Sequence, residues 1–203
     1  MLSLSYDLHI HSCLSPCGDD DMTPANITGL AALIGLDVIA VTDHNSCKNC
    51  PAVMKAAAPL GLTVIPGMEL TTSEEVHVLC LFETLEDAMA FDALVEQRLI
   101  PFPNNEEIFG RQTICGPDDS VIGTFPNLLI NATDISIDHV FQLTERYHGI
   151  MIPAHIDKDS TSLLSNLGFI PPDSCFTCVK VKNKKNIPML LSCHPYLEKC
   201  RII

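Results

Sequence analysis

The chain has 203 residues, with 12 Lys+Arg against 25 Asp+Glu and a net charge of −13. That length suits one well-cored domain, and the charge repels a phosphate backbone at long range, so binding to duplex nucleic acid is expected to be disfavoured unless bound metals reverse the local field. The longest apolar runs are strand-sized and the first residues carry no leader pattern, so no membrane association and a cytoplasmic location are expected.

Strand and helix signals alternate along the chain. Leu4 to Leu8, Val38 to Thr42, Thr63 to Ile65, Val76 to Phe82, Ile150 to Pro153, Thr177 to Val181 and Met189 to Ser192 are short, nearly continuous apolar runs. A sheet covered on both faces requires strands of this kind. Thr23-Pro24 supplies a cap and a first-turn proline for a helix over Ala25 to Ile34, which Gly35 can close in the left-handed conformation. Pro51 starts a second helix that Gly61 ends. Thr84 and Asp87 resemble a capping box for a third helix to about Leu99, and a fourth runs from about Ile137 to Tyr147. Seven strands in βαβ succession predict an α/β fold, a closed or nearly closed TIM-like barrel, as one domain over residues 1–203. Residues 101–132 break the alternation. There Gly116-Pro117-Asp118-Asp119 lies between two strand-like runs and predicts a hairpin inserted at the barrel mouth. The helix that should follow the seventh strand is missing before Ile203.

The ten cysteines are expected to be reduced thiols. Cys47 and Cys50, and Cys175 and Cys178, are CxxC pairs too far apart for a zinc ribbon; Cys175, Cys178, Cys193 and Cys200 could enclose one metal. Small thiols in a reducing compartment are the simpler reading.

The histidines carry the chemistry. Six of the eight, His9, His11, His44, His77, His155 and His194, lie in or at the end of a predicted strand, in the company of acidic residues. Imidazole and carboxylate are ligands of divalent transition metals, and a catalytic cluster gathers them from distant parts of a chain. His9-Ile10-His11 puts two imidazoles on one face of a strand, so both can hold a single ion. His44, Glu69, His155 and His194 belong with them at strand ends, where barrel enzymes collect their active residues. His77 should point into the barrel from inside the fourth strand. His139 and His148 belong to a helix and its end, and read as hydrogen-bonded structural residues.

Asp7-Leu8-His9-Ile10-His11-Ser12, Thr42-Asp43-His44-Asn45, Gly67-Met68-Glu69, His77 and Pro153-Ala154-His155-Ile156-Asp157 together resemble the successive motifs of the PHP (polymerase and histidinol phosphatase) domain. The resemblance implies a distorted (β/α)7 barrel with two or three divalent metal ions (Zn, Mn or Fe). It implies hydrolysis of a phosphate ester, on a small phosphorylated substrate, by a metal-bridging hydroxide. By position it assigns His9 and His11 to a first ion and Glu69 as a bridge to a second, which His77 and His155 complete. His44 and an acidic residue would hold a third. Asp19 is the match for that acid, with Asp20 or Asp21 as substitutes; a solvated helix start is the other reading of the three aspartates. Asp43 would orient a ligand or a bound water. The family's last motif, Asp-x-His, is altered. Aligned on Tyr196-Leu197-Glu198, the Asp position is Cys193 and the His position is Pro195. His194 between them is the remaining candidate ligand and, with Asp43, the candidate catalytic residue. Arg111 and Lys158 are candidate phosphate contacts or else solvated charges. The run Lys180, Lys182, Lys184 and Lys185 is a solvated turn or a phosphate-attracting rim. The altered motif leaves a non-catalytic metal-binding module as the alternative, and the CxxC pairs a Cys-rich metal or redox protein.

Overall fold

The first half alternates as predicted. Strand β1 (Tyr6–Ile10), helix α1 (Pro24–Leu33), β2 (Val38–Val41), α2 (Cys50–Ala57) and β3 (Thr63–Thr71) follow in turn in the computed structural model, which describes residues 3–203. Thr23 caps α1 by accepting from the Asn26 N–H, and Gly61, at φ +68°, ends the 3-10 turn after α2 in the left-handed conformation. β1, β2 and β3 pair in parallel.

The alternation then stops. β4 (His77–Phe82) returns antiparallel to β3, because Thr72 to Val76 is far too short for a crossover helix. Helix α3 (Leu85–Arg98) starts on a Thr84 cap. The predicted insertion holds a short helix, α4 (Glu106–Phe109), and the antiparallel hairpin β5 (Thr113–Cys115) and β6 (Val121–Thr124). Helix α5 (Ile137–Arg146) leads into β7 (Gly149–Pro153), which pairs antiparallel with β4. Helix α6 (Leu163–Leu167), β8 (Cys178–Val179), α7 (Ile187–Cys193) and β9 (Arg201–Ile202) complete the chain.

The main sheet is therefore open and mixed, in the order β1-β2-β3-β4-β7, with β8 and β9 forming a separate parallel pair. This corrects the closed (β/α)7 barrel expected from the sequence: the fold is mixed α/β, and no closed barrel forms among the described residues. The predicted seventh strand, Met189 to Ser192, lies inside α7. Pro188 in the first turn suits a helix start, and a run of four residues is too short to distinguish strand from helix by period.

The two faces of the sheet bury different sets. Met68, Leu70, Val78, Cys80 and Phe82 pack with Phe91 and Val95 of α3 and Val140 of α5. Ala40, Leu79, Leu81, Ile152 and Ala154 form the core on the opposite face, which Leu8 and Ile65 join. No helix among the described residues is long and apolar enough to cross a membrane.

Buried Asn45 ties the insertion to the sheet. Its Nδ2 donates to the carbonyls of Leu129 (2.7 Å) and Asn131 (2.8 Å), and its Oδ1 accepts from the Thr71 N–H at 2.8 Å. It sits at φ +49°, a region that Asn tolerates better than most residues. Asn45→Ala is expected to lower stability by about 2–4 kcal/mol in urea denaturation, from orphaned buried groups and added backbone strain.

Candidate metal centre

Glu69, on β3, is the hub. It is 2% exposed and lies opposite Leu79 of the antiparallel partner strand. Side chains alternate with a period of two, so His77 shares the face of Leu79 and meets Glu69 diagonally across the ladder. His44 arrives by an extension of the parallel pairing beyond β2. The Glu69 N–H donates to the Asp43 carbonyl at 3.0 Å, and the Asn45 N–H donates to the Glu69 carbonyl at 3.0 Å. His155 follows β7 at φ +31°, an uncommon backbone for a residue with a branched ring, of the kind that functional sites retain.

Five imidazoles converge on this one carboxylate. His9 Nε2 (3.1 Å), His77 Nδ1 (3.3 Å) and His155 Nε2 (3.2 Å) approach Oε1. His11 Nε2 (3.1 Å) and His44 Nδ1 (3.5 Å) approach Oε2. His9 and His11 bring their Nε2 atoms within 3.0 Å of each other, as the His-x-His spacing predicts. Burial works to raise the Glu69 pKa, but the bonds from His11, His155, His77 and His9 outweigh it and hold the carboxyl well below its usual range. Burial lowers the pKa of His9, and lowers that of His44 well below its ordinary value. At neutral pH those rings are neutral and can act as metal ligands.

The donor set fits divalent ions. His44 Nδ1 is buried without a hydrogen-bond partner, although it faces Glu69 Oε2. Such an orphan is costly, and a cation shared with the carboxylate would satisfy it. Triads His9–His11–Glu69 and His44–Glu69–His77 each bring their ligand atoms within 4.8 Å of one another. Without an ion, protons take its place. Burial opposes the charged form of His11, yet Cys17 and Glu69 push its pKa up to about 10. A folded-state value above the ordinary 6.5 contributes stability that is complete below pH 6.5 and lost as pH rises through about 10. Chelator-treated protein is expected to lose thermal stability across that window. Added divalent ion, which displaces the proton, is expected to flatten the profile.

Asp43 secures the loop after β1. The Ser12 N–H (2.7 Å), Ser12 Oγ (2.6 Å) and Ser15 Oγ (2.7 Å) all donate to its buried carboxylate. Ser15 Oγ also lies 3.0 Å from His11 Nδ1 and accepts from the His44 N–H at 3.0 Å. Asp43 thus acts on His11 and His44 through one serine.

The remaining candidates lie further out. Asp19 is exposed and lines, with His9, His11 and Cys17, a cavity of ≈ 380 Å³ beside α1. Its Oδ1 accepts from the Asp21 N–H at 3.0 Å. Arg111 faces Glu106 at 3.7 Å in the insertion, and Lys158 is an exposed residue just after His155. His194 ends α7 and makes none of the contacts of the Glu69 cluster among the described residues. The CxxC residues also stay outside the metal-binding groups found there; Cys47 and Cys50 are buried and donate to the Gly67 carbonyl. Cys17 is the residue that sequence reasoning passed over: its Sγ lies 3.6 Å from His11 Nδ1. Of the lysine run, Lys180 is partly buried. Burial lowers its pKa, while the charges of Asp7 and Glu69 oppose that change.

A family model for the PHP domain matches residues 7–158. A 5'-3' exoribonuclease of Salmonella typhimurium is 30% identical over 97 residues, a match covering 45% of this chain and 32% of that enzyme. The chain spans less than two thirds of the length of the curated relatives it matches. Among solved structures, the lesion-specific endonuclease Q of Pyrococcus furiosus superposes with a TM-score of 0.57 at 21% identity, covering 88% of this chain and 42% of that one. A Bifidobacterium adolescentis protein described as a metal-dependent phosphoesterase gives 0.52 at 18% identity, covering 78% and 69%. A second endonuclease Q structure holds a 27-mer duplex with an abasic lesion at its active site. That finding corrects the expectation that duplex nucleic acid is disfavoured: endonuclease Q, which shares this fold over 42% of its chain, is seen with duplex DNA, so net charge alone does not set duplex nucleic acid aside.

Proposed function

The chain belongs to the PHP domain family, and on that footing we propose that it is a metal-dependent phosphoesterase, hydrolysing a phosphate ester at a cluster of two or three divalent ions. The convergence of His9, His11, His44, His77 and His155 on the buried Glu69 carries this reading. His9 and His11 hold one ion in this proposal, and Glu69 bridges to a second that His77 and His155 complete. His44 and the loop running from Ser12 to Asp19 hold a third. Imidazole and carboxylate donors suit Zn, Mn or Fe. Such ions activate water near neutral pH, hold phosphoryl oxygens and neutralise the leaving oxygen.

The protein's own groups set up the site. Asp43 keeps Ser15 against His11, which fixes the ring for ligation. In this reading Lys180 attracts the phosphate, and Lys158 and Arg111 are further candidate contacts. No Ser or Cys nucleophile is needed. Ten free thiols suit a reducing cytoplasm.

One observation favours a second reading, a PHP module that binds metal without turnover. The segment carrying the altered last motif is helical, and His194 stands outside the contacts of the cluster. Turnover of aryl phosphate mono- and diesters in added manganese tests both. Hydrolysis lost in His155→Ala supports the phosphoesterase; bound metal with neither ester hydrolysed selects the second reading.

A further inference from the structure

The third-ion position has an unexpected neighbour. The loop after His11 curls tightly: the Ser15 N–H donates to the Ser12 carbonyl at 3.1 Å, and the Gly18 N–H to the Ser15 carbonyl at 2.9 Å. Gly18 is required for the curl, since a Cβ there would lie 2.1 Å from the Ser12 carbonyl oxygen. The curl turns Cys17 back over β1, where its Sγ comes 3.6 Å from His11 Nδ1. The ligand atoms of His11, Cys17 and His44 lie within 4.8 Å of one another. His44 is 2% exposed, and its Nδ1, which faces Glu69 Oε2 at 3.5 Å, is buried without a hydrogen-bond partner.

We propose that the Cys17 thiolate, beside His44 and His11, is a direct ligand of the third ion and makes that position selective for a soft or borderline divalent cation of the zinc class. This rests on the reading of the Glu69 cluster as a metal centre and names the loop's ligand within it. Thiolate sulfur selects zinc over manganese and magnesium, whereas a carboxylate at the same place would not. Cys17 is exposed, so the ion it holds would face both solvent and an incoming substrate. On binding, the Cys17 S–H bond breaks, a sulfur–metal bond forms and the proton passes to solvent.

Cobalt(II) added to the full metal-free chain gives the test, because thiolate ligation produces a near-ultraviolet charge-transfer absorption that imidazole and carboxylate do not. The expected result is that band in the wild type and in Cys175→Ser, and its loss in Cys17→Ser with the visible cobalt bands retained. A band that survives Cys17→Ser overturns the assignment. So do visible cobalt bands without charge transfer in the wild type, which leave the metal centre standing. Absence of every cobalt band overturns the metal centre as well. Alkylation of wild-type Cys17, followed by mass spectrometry, needs no variant. Zinc is expected to slow it by about tenfold or more, since a metal-held thiolate is a poor nucleophile. Unchanged alkylation with zinc bound would contradict the proposal.

Discussion

Glu69→Gln is expected to leave at most one divalent ion per chain and to cut turnover by about a thousandfold. The amide keeps the carboxyl's shape but lacks the charge that bridges ions, and metal electrostatics supply several kcal/mol of a phosphoryl-transfer barrier, at about 1.4 kcal/mol per factor of ten. The same change removes the anion facing five imidazole rings, so His11 loses a partner that raises its pKa. Metal content by elemental analysis, read beside kcat/KM, checks this. Wild-type stoichiometry in Glu69→Gln would remove the carboxylate from the centre of the account.

Asp43→Ala should have the largest effect on stability. Three donors, the Ser12 N–H and the hydroxyls of Ser12 and Ser15, end on this buried carboxylate. Each orphaned buried donor costs about 1–3 kcal/mol, and water entering the vacated space offsets part, so a loss of about 3–5 kcal/mol is expected by denaturant titration. Ser15 would no longer be held against His11, and metal affinity should fall about 10–100-fold, the usual cost of losing a group that orients a ligand. Asp43→Asn, which retains one acceptor oxygen, should fall between. A stability change below about 0.5 kcal/mol, typical of an ordinary surface position, would show that Asp43 does not secure the loop.

The gathering of the histidines around Glu69 was legible because their spacing is tied to strand geometry. His9 and His11 share a face through the period of a strand, and His44 and Glu69 meet because β2 and β3 are parallel neighbours. The direction of β4 was not legible in its apolar run, which reads the same either way; the short Thr72 to Val76 link was the overlooked signal. Met189 to Ser192 misled for a related reason, since Pro188 marks a helix start that the apolar run conceals. Cys17 reaches His11 through a loop curled at Gly18, and the close approach that demands a glycine appears only once the chain is folded. Net charge alone does not decide the question of duplex DNA, because it is a sum over the whole surface. The local field at a metal-binding site is dominated by the ions it holds.

The most direct test of the centre is the number of divalent ions retained per chain after chelator stripping, reloading with zinc or manganese, and desalting. The arrangement around Glu69 predicts two or more ions per wild-type chain, and fewer in Glu69→Gln and His9→Ala. One ion or none in the wild type would contradict a multi-metal site, and the five histidines would then be a proton-sharing cluster.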